Sequence, residues 1–513
     1  MIYTHSATPR DLDLRADVCI VGSGAGGSVI AKEMAGKGLK VVVLEEGGYY
    51  TSKEFTQLER EMLPMLYKDR GNQATADLGV GVFQGRCVGG TTVINYLCSF
   101  KTPDRVLREW AERGVAGMSP AEMKPHIESV WETLSVKKMP ESLLNKNNRL
   151  LKIGGDALGW KGETFWRNEI GCWGSGFCAE GCSYDAKQSA LLAFLHQAVN
   201  DGADIYAGCR VDRVLTEGGR AVGVEGITQD PETDAPRGKL TVRADVIVLA
   251  CGTINTPEVL LRSNIGGAMV GKNLHLHPAI PVNALFEDEI HNYYGVKQGY
   301  FIDEFSDAFH DEVDAGYLIE GVGGQAGLGS SALPSQGTWH RERMKDYSRL
   351  TLTAVLVRDR DDSGSVSLDG NGRRKIAYAA SEAQQRLWKE GLKNTSEALL
   401  AAGAKEVYPG LLAPITIRSK KDLSLIDEAG TGPGQILVFS MHQMGSARMG
   451  EDPKSSVVNS NGRVHTTKNL MIADASAFPT PSGVNPQITV YSVAHHHAKF
   501  LAGNWDDVVS GKA

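Results

Sequence analysis

Runs of consecutive apolar residues, rather than alternating ones, mark three places in the chain: Val18 to Val21, Val41 to Leu44 and Val246 to Ala250. A strand covered by helices on both faces reads this way, so the three predict the centre of a parallel sheet. The first run breaks at Gly22-Ser-Gly24-Ala25-Gly-Gly27, an Ala- and Met-containing helical segment follows, and the second run closes on Glu45. That order is a βαβ unit with GxGxxG at its strand-to-helix turn. Residues 103–136 carry apolar positions at helical spacing, with Trp110, Met123, Ile127, Val130, Trp131 and Leu134 facing inward, and 189–200 read as another helix. Arg210 to Val224 and Lys239 to Cys251 alternate between Gly turns as antiparallel strands do, the second returning to the central sheet.

From about residue 280 the pattern changes. Phe, Tyr and Gly become frequent, and the small residues of Gly321 to Leu333 predict a cap or cavity-lining loop. Thr351 to Val357 and Ser365 to Tyr378 read as strands, the latter turned at Asp369-Gly-Asn-Gly372. Ser381-x-x-Gln384 forms a capping box for a helix reaching about Ala402. The fold class expected is α/β: a Rossmann-like domain on a parallel sheet, plus an α+β domain with a large antiparallel sheet. No internal repeat is visible.

Composition narrows the function classes. The 513 residues, 42% hydrophobic and 22% charged with 59 Gly, suit a loop-rich globular protein of two or more units. A net charge of −7 gives no electrostatic reason to bind nucleic acid or an anionic membrane. No apolar run approaches the ~20 residues of a membrane-crossing helix, and the N-terminus lacks a basic-then-apolar leader, so a cytoplasmic location is expected. Eight cysteines are too few for a disulfide scaffold.

The chemistry concentrates in a few stretches. In the GxGxxG turn, Gly22 permits the tight turn, Gly24 lets backbone approach a pyrophosphate, Gly27 packs helix on strand, and the helix N-terminus faces the phosphates. Glu45, 18 positions after Gly27, is placed to accept from ribose hydroxyls, which predicts an unphosphorylated adenine dinucleotide, FAD or NAD. Gly85-Arg86-Cys-Val-Gly89-Gly90-Thr91-Thr92-Val-Ile-Asn95 offers bare amides and two hydroxyls for a second phosphate or a flavin edge. The C-terminal third carries His442-Gln-Met-Gly445 after an apolar strand, Asp474 at another strand end, and Gly483-Val-Asn485-Pro486 opening the last helix. Cys172, Cys178 and Cys182, spaced C-x5-C-x3-C, leave two readings open: thiolates around an iron–sulfur cluster, or a Gly-rich loop with reduced thiols. His495-His496-His497 does not converge on one ion, because consecutive helical residues point ~100° apart.

The GxGxxG unit, the Gly85–Asn95 loop, the Gly252–Gly266 segment and the His442…Asp474…Asn485-Pro486 ending, in that order, resemble the glucose–methanol–choline (GMC) oxidoreductases. Within them, Val270–Pro278, the Cys178-x-x-x-Cys182 loop with Lys187-Gln188-Ser189, and Phe478–Pro486 are most similar to the long-chain fatty alcohol oxidases. The chain lacks the long N-terminal extension of the eukaryotic members, and Asn264 stands where the motif usually has Gly. The resemblance implies FAD rather than NAD, an FAD-binding domain of residues 1–279 completed by 441–513, and a substrate-binding or cap domain of 280–440. It extends the cofactor side to Gly22, Gly24, Ala25, Gly27, Glu45 and Glu46; to Arg86, Gly89, Gly90, Thr91 and Asn95; to Val211; and to Asp474, Ala475, Asn485, Pro486 and Thr489.

It also implies oxidation of a primary, apolar or long-chain alcohol to the aldehyde by hydride transfer to flavin N5. His442 is the general base, since a neutral imidazole matches that task, and Asn485 positions the substrate oxygen. Ile94 precedes Asn95 where some relatives carry the histidine that links FAD, so non-covalent FAD is expected. O2, a quinone or a cytochrome remain open as electron acceptor. A sugar, sterol or aromatic alcohol is the alternative substrate, and a flavoprotein photodecarboxylase the alternative of another class.

Overall fold

The structure is a computed structural model that describes residues 1–313, 315–360 and 364–511. Its first sheet has eight strands, ordered Ile2–Tyr3, Asp204–Ala207, Val41–Glu45, Leu12–Val21, Pro236–Leu249, Arg220–Gln229 and Cys209–Glu217, with Leu470–Ile472 also paired to Pro236–Leu249. Strands from Ile2–Tyr3 to Pro236–Leu249 run parallel, in the register Val18↔Val41 and Val18↔Val246. The three apolar runs are therefore neighbours at the centre, and Val18, Ile20, Val43, Val246 and Val248 are completely buried. Helices Ala25–Ala35 and Gln487–Gly503 pack together beside this sheet.

Pro236–Leu249 changes partner type along its length: it pairs parallel with Leu12–Val21 and antiparallel with Arg220–Gln229. That explains why its sequence alternates first and becomes continuously apolar at the end. Helix Asn255–Ser263 follows, and its C-cap Asn264 takes a left-handed conformation with φ 56°. Asn is the non-glycine residue that tolerates this geometry best, so the departure from Gly at 264 preserves the cap.

The second sheet also has eight strands: Gly81–Val82, Phe439–Ser440, Ala279–Leu285, Leu350–Val357, Tyr317–Val322, Tyr300–Ile302 and Gly162–Thr164, with Glu406–Pro409 on Ala279–Leu285. All its pairs are antiparallel except Gly81–Val82 with Phe439–Ser440. It takes in two strands upstream of residue 280, and helix Lys146–Leu158 packs with Glu382–Ala401 beside it. The hairpin turned at Asp369–Gly372 joins Lys272–Leu274 in a separate three-stranded sheet rather than the large one. Ser381 caps helix Glu382–Ala401 by accepting from the Gln384 amide at 3.2 Å, but the Gln384 side chain turns away to the Tyr378 hydroxyl. Only half of the expected capping box forms. Among the described residues no helix is long and apolar enough to cross a membrane.

Candidate active site

The two sheets meet around one cavity of about 400 Å³. On the first-sheet side it is walled by Gly22, Gly24, Ala25, Glu45 and Glu46, by Arg86, Gly90, Thr91 and Asn95, and by Val211. Asp474, Ala475, Asn485 and Pro486 close it from the C-terminal segment. Helix Ala25–Ala35 starts at Gly24 with no side chain capping its amides, so its positive end opens into the cavity. Gly90, at φ +58°, crosses so near the glycine turn that a Cβ there would stand 2.8 Å from Gly24 Cα. These two bare backbone segments form a cradle whose close approach requires glycine at position 90.

Three expected positions stand behind the wall. A Cβ on Gly27 would meet the Gly22 carbonyl at 2.0 Å, the close packing its motif implies. The Gly89 amide donates to Ser23 Oγ at 3.1 Å. Thr489 Oγ1, fully buried, accepts from Thr102 at 2.9 Å.

Glu45 accepts from the Ser23 amide and hydroxyl at 3.1 and 2.6 Å and from the Gly47 amide at 2.9 Å, so it also braces the glycine turn itself. Burial raises its carboxyl above the ordinary range despite those bonds. In Glu46, burial opposes ionisation, yet Lys68 and Arg86 outweigh it and bring the carboxyl down to about 2. Asp474 holds the Gly252 amide at 2.9 Å, Thr256 Oγ1 at 2.6 Å and the Ser476 amide at 2.8 Å, tying the ends of strands Pro236–Leu249 and Leu470–Ile472 to the first turn of helix Asn255–Ser263.

At the other end of the cavity, His442 Nε2 lies 3.5 Å from Asn485 Nδ2, and His442 Nδ1 lies 3.3 Å from His277 Nδ1. An amide N–H can only donate, so His442 Nε2 carries the lone pair and Nδ1 carries the proton given to His277. Burial, reinforced by His277, holds the His442 imidazole well below its ordinary titration range, and burial likewise brings His277 down to about 4. The pair is neutral at pH 7, with the Nε2 lone pair turned to the Asn485 amide.

His277 is placed by Asp359, which accepts from the Leu276 and His277 amides at 2.9 and 3.0 Å. Its motif, His275-Leu-His277-Pro278, was visible in the sequence but gave no role. A second residue had a fainter signal: Glu320 is the one charge inside the apolar strand Tyr317–Val322. Only 3% exposed, its carboxyl accepts from Gln298 Nε2 at 2.5 Å and also bonds the Asn485 side chain. Burial pushes it up to about 7 against the lowering effect of those two bonds. Asn485 Nδ2 therefore stands between the Glu320 carboxyl and His442 Nε2.

The far wall is apolar. Ala279, Pro281, Leu352, Ala354 and Leu356 present one face of the antiparallel sheet, joined by Val322, Leu328 and Ala332. The 321–333 segment thus lines the cavity as its small residues predicted. His495 and His497 are buried in helix Gln487–Gly503, His497 Nδ1 bonding the Ile472 carbonyl at 3.0 Å. Among the described residues no cluster of His, Cys, Asp and Glu is arranged to hold a metal ion.

A Rossmann sheet with an open helix N-terminus, beside a neutral imidazole–amide pair and an apolar wall, defines a dinucleotide-dependent oxidoreductase. The GMC oxidoreductase family models match residues 41–279 and 360–494, and the chain belongs to that family of FAD-binding oxidoreductases acting on CH–OH donors. It is 34% identical over 486 residues to an uncharacterized GMC-type oxidoreductase of Mycobacterium tuberculosis, covering 94% of this chain and 75% of that protein. It is 32% identical over 508 residues to a long-chain-alcohol oxidase of Arabidopsis thaliana, covering 94% and 67%. Among solved structures, pyridoxine 4-oxidase from Mesorbium loti is similar with a TM-score of 0.70 at 18% identity, over 94% of this chain and 98% of that one. A formate oxidase of Aspergillus oryzae, studied for its FAD modification, is similar at 0.71 and 16%, over 97% and 99%.

Proposed function

We propose that this protein oxidises a primary, apolar or long-chain alcohol to its aldehyde with non-covalently bound FAD, His442 acting as general base. One observation carries the reading: His442 Nε2 and Asn485 Nδ2, 3.5 Å apart, face a cavity whose nucleotide end is bare backbone and whose other wall is apolar. The bare cradle at Gly24 and Gly90 and the uncapped helix fit a pyrophosphate, and the buried, unpartnered Oδ1 of Asn485 fits a further polar group. FAD, when bound, supplies the two-electron acceptor. A carbinol oxygen between His442 and Asn485 gives its proton to Nε2 and accepts from the amide, while His277 receives the Nδ1 proton and keeps the tautomer fixed. Glu320 holds the amide in place. Leu352, Leu356 and Val322 exclude water from the carbon bearing the hydroxyl and favour an alkyl chain.

The long-chain-alcohol oxidases at about 30% identity support this substrate class. Residues 1–279 with 441–513 are proposed to hold the cofactor and 280–440 to form most of the substrate wall; O2, a quinone or a cytochrome reoxidises the flavin. Ile94 has no side chain able to link FAD, and it lines the cavity. The test is anaerobic mixing with alcohols of graded chain length, a sterol, a sugar and an aromatic alcohol. Flavin bleaching fastest with long alkyl alcohols is expected, and bleaching by none of them overturns the proposal.

A further inference from the structure

Beside the active site, the loop of residues 171–187 builds a second, smaller cavity of about 20 Å³, room for a water-sized molecule. Cys172, Cys178 and Cys182 line it together with Arg167 and Lys187, and all three thiols are free and half-buried. Arg167, 1% exposed, gives Nε to Glu169 at 3.0 Å and Nη1 to the Tyr96 and Gln298 carbonyls at 2.9 and 3.0 Å. Its Nη2 is buried with no partner. Three nucleophilic side chains thus share a pocket with an unspent cationic donor, and nothing in alcohol oxidation uses them.

The thiolate is the reactive form of cysteine, and a neighbouring cation favours it. The Arg167 guanidinium lines the same small cavity as Cys178 and Cys172. The small molecule that fits is one a thiolate attacks and an N–H donor relieves of developing negative charge on oxygen: a hydroperoxide. We propose that this cavity is a peroxide-reactive dithiol site, in which Cys178 reduces a hydroperoxide and Cys172 then closes a disulfide with it. Cys178 sulfur bonds one peroxide oxygen as the O–O bond breaks; the other oxygen leaves with the electron pair, beside Arg167 Nη2, and takes a proton. Cys172 sulfur then attacks the sulfenic acid, the S–O bond breaks, and the hydroxyl leaves as water with the Cys172 proton. Two thiols and one hydrogen peroxide become one disulfide and two waters, the thiols losing two electrons.

The site is wired to the larger cavity. Lys187 Nζ donates to the Cys178, Val93 and Asn95 carbonyls, each at 2.7 Å, and Ile94 and Asn95 line the cofactor cavity. Drawing Cys178 toward Cys172 pulls on this three-way clamp, so oxidation slows the main reaction.

The test uses holoenzyme reduced with thiol, desalted, and treated with stoichiometric hydrogen peroxide before alkylation and peptide mapping. A Cys172–Cys178 linked peptide, lighter by two hydrogens and reversed by thiol, is expected, with flavin reduction by alcohol slowed and restored in parallel. Cys178→Ser should abolish the link, and Cys172→Ser should accumulate dimedone-reactive Cys178 while its flavin reduction resists peroxide. The peptide readout needs no alcohol, so it stands or falls apart from the substrate assignment. Cys178 remaining a thiol, a disulfide between other cysteines, or stoichiometric iron and sulfide in protein purified without oxygen would overturn the proposal.

Discussion

Glu320→Gln isolates the contribution of one buried carboxyl. Burial raises Glu320 from 4.5 to about 7, which corresponds to roughly 3 kcal/mol between its two protonation states. Because the folded value is the higher one, its contribution to stability is full below pH 4.5 and is lost as pH rises through about 7. Above that, wild type carries a buried charge that Gln does not. The variant should therefore gain melting temperature over wild type as pH goes from 5 to 8, with no gain at pH 4. Function should move the other way. Ionised Glu320 can only accept, so it aims the Asn485 N–H groups; protonated, it donates, and the unpartnered Asn485 Oδ1 becomes its acceptor, turning the amide away from His442. Wild-type kcat/KM should rise with pH around 7, whereas the variant should lack that step and keep KM nearly unchanged. Rapid-mixing flavin reduction across pH 5–9, paired with thermal melts, reads both. A step near 7 that survives in Glu320→Gln would refute the assignment, as would a melting difference independent of pH.

His442→Ala should lower kcat by a factor on the order of 10²–10⁴ while FAD stays bound, read by turnover and flavin absorbance; unchanged turnover removes His442 as base. Acid should destabilise the protein: His277 and His497 are fully buried and brought down to about 4 and about 3, below their ordinary 6.5. Each loses about 1.4 kcal/mol per pH step as pH falls below 6.5, of which Glu320 offsets one share, so denaturant midpoints should drop between pH 6.5 and 4.5. Heat or acid denaturation should release the flavin into the supernatant; yellow colour remaining with the pelleted protein would mean a covalent link.

What the sequence determined by itself was whatever depends on neighbours in the chain. The parallel sheet was legible because Val18–Val21, Val41–Leu44 and Val246–Ala250 are continuously apolar, and only double coverage by helices accounts for that. The glycine turn and the 369–372 hairpin were legible because backbone conformation there is set by a few adjacent residues. The tertiary structure alone decided which lone polar groups meet. Glu320 reaches Asn485 because the cavity brings strand Tyr317–Val322 to the residues just before helix Gln487–Gly503, and His277 reaches His442 because Ala279 pairs with Phe439. Both contacts join segments far apart in the chain, and their chemistry arises from burial, which composition and periodicity do not encode residue by residue. The same limit hid Arg167, whose charge reads as surface in sequence and becomes an unspent donor only when packing closes around it.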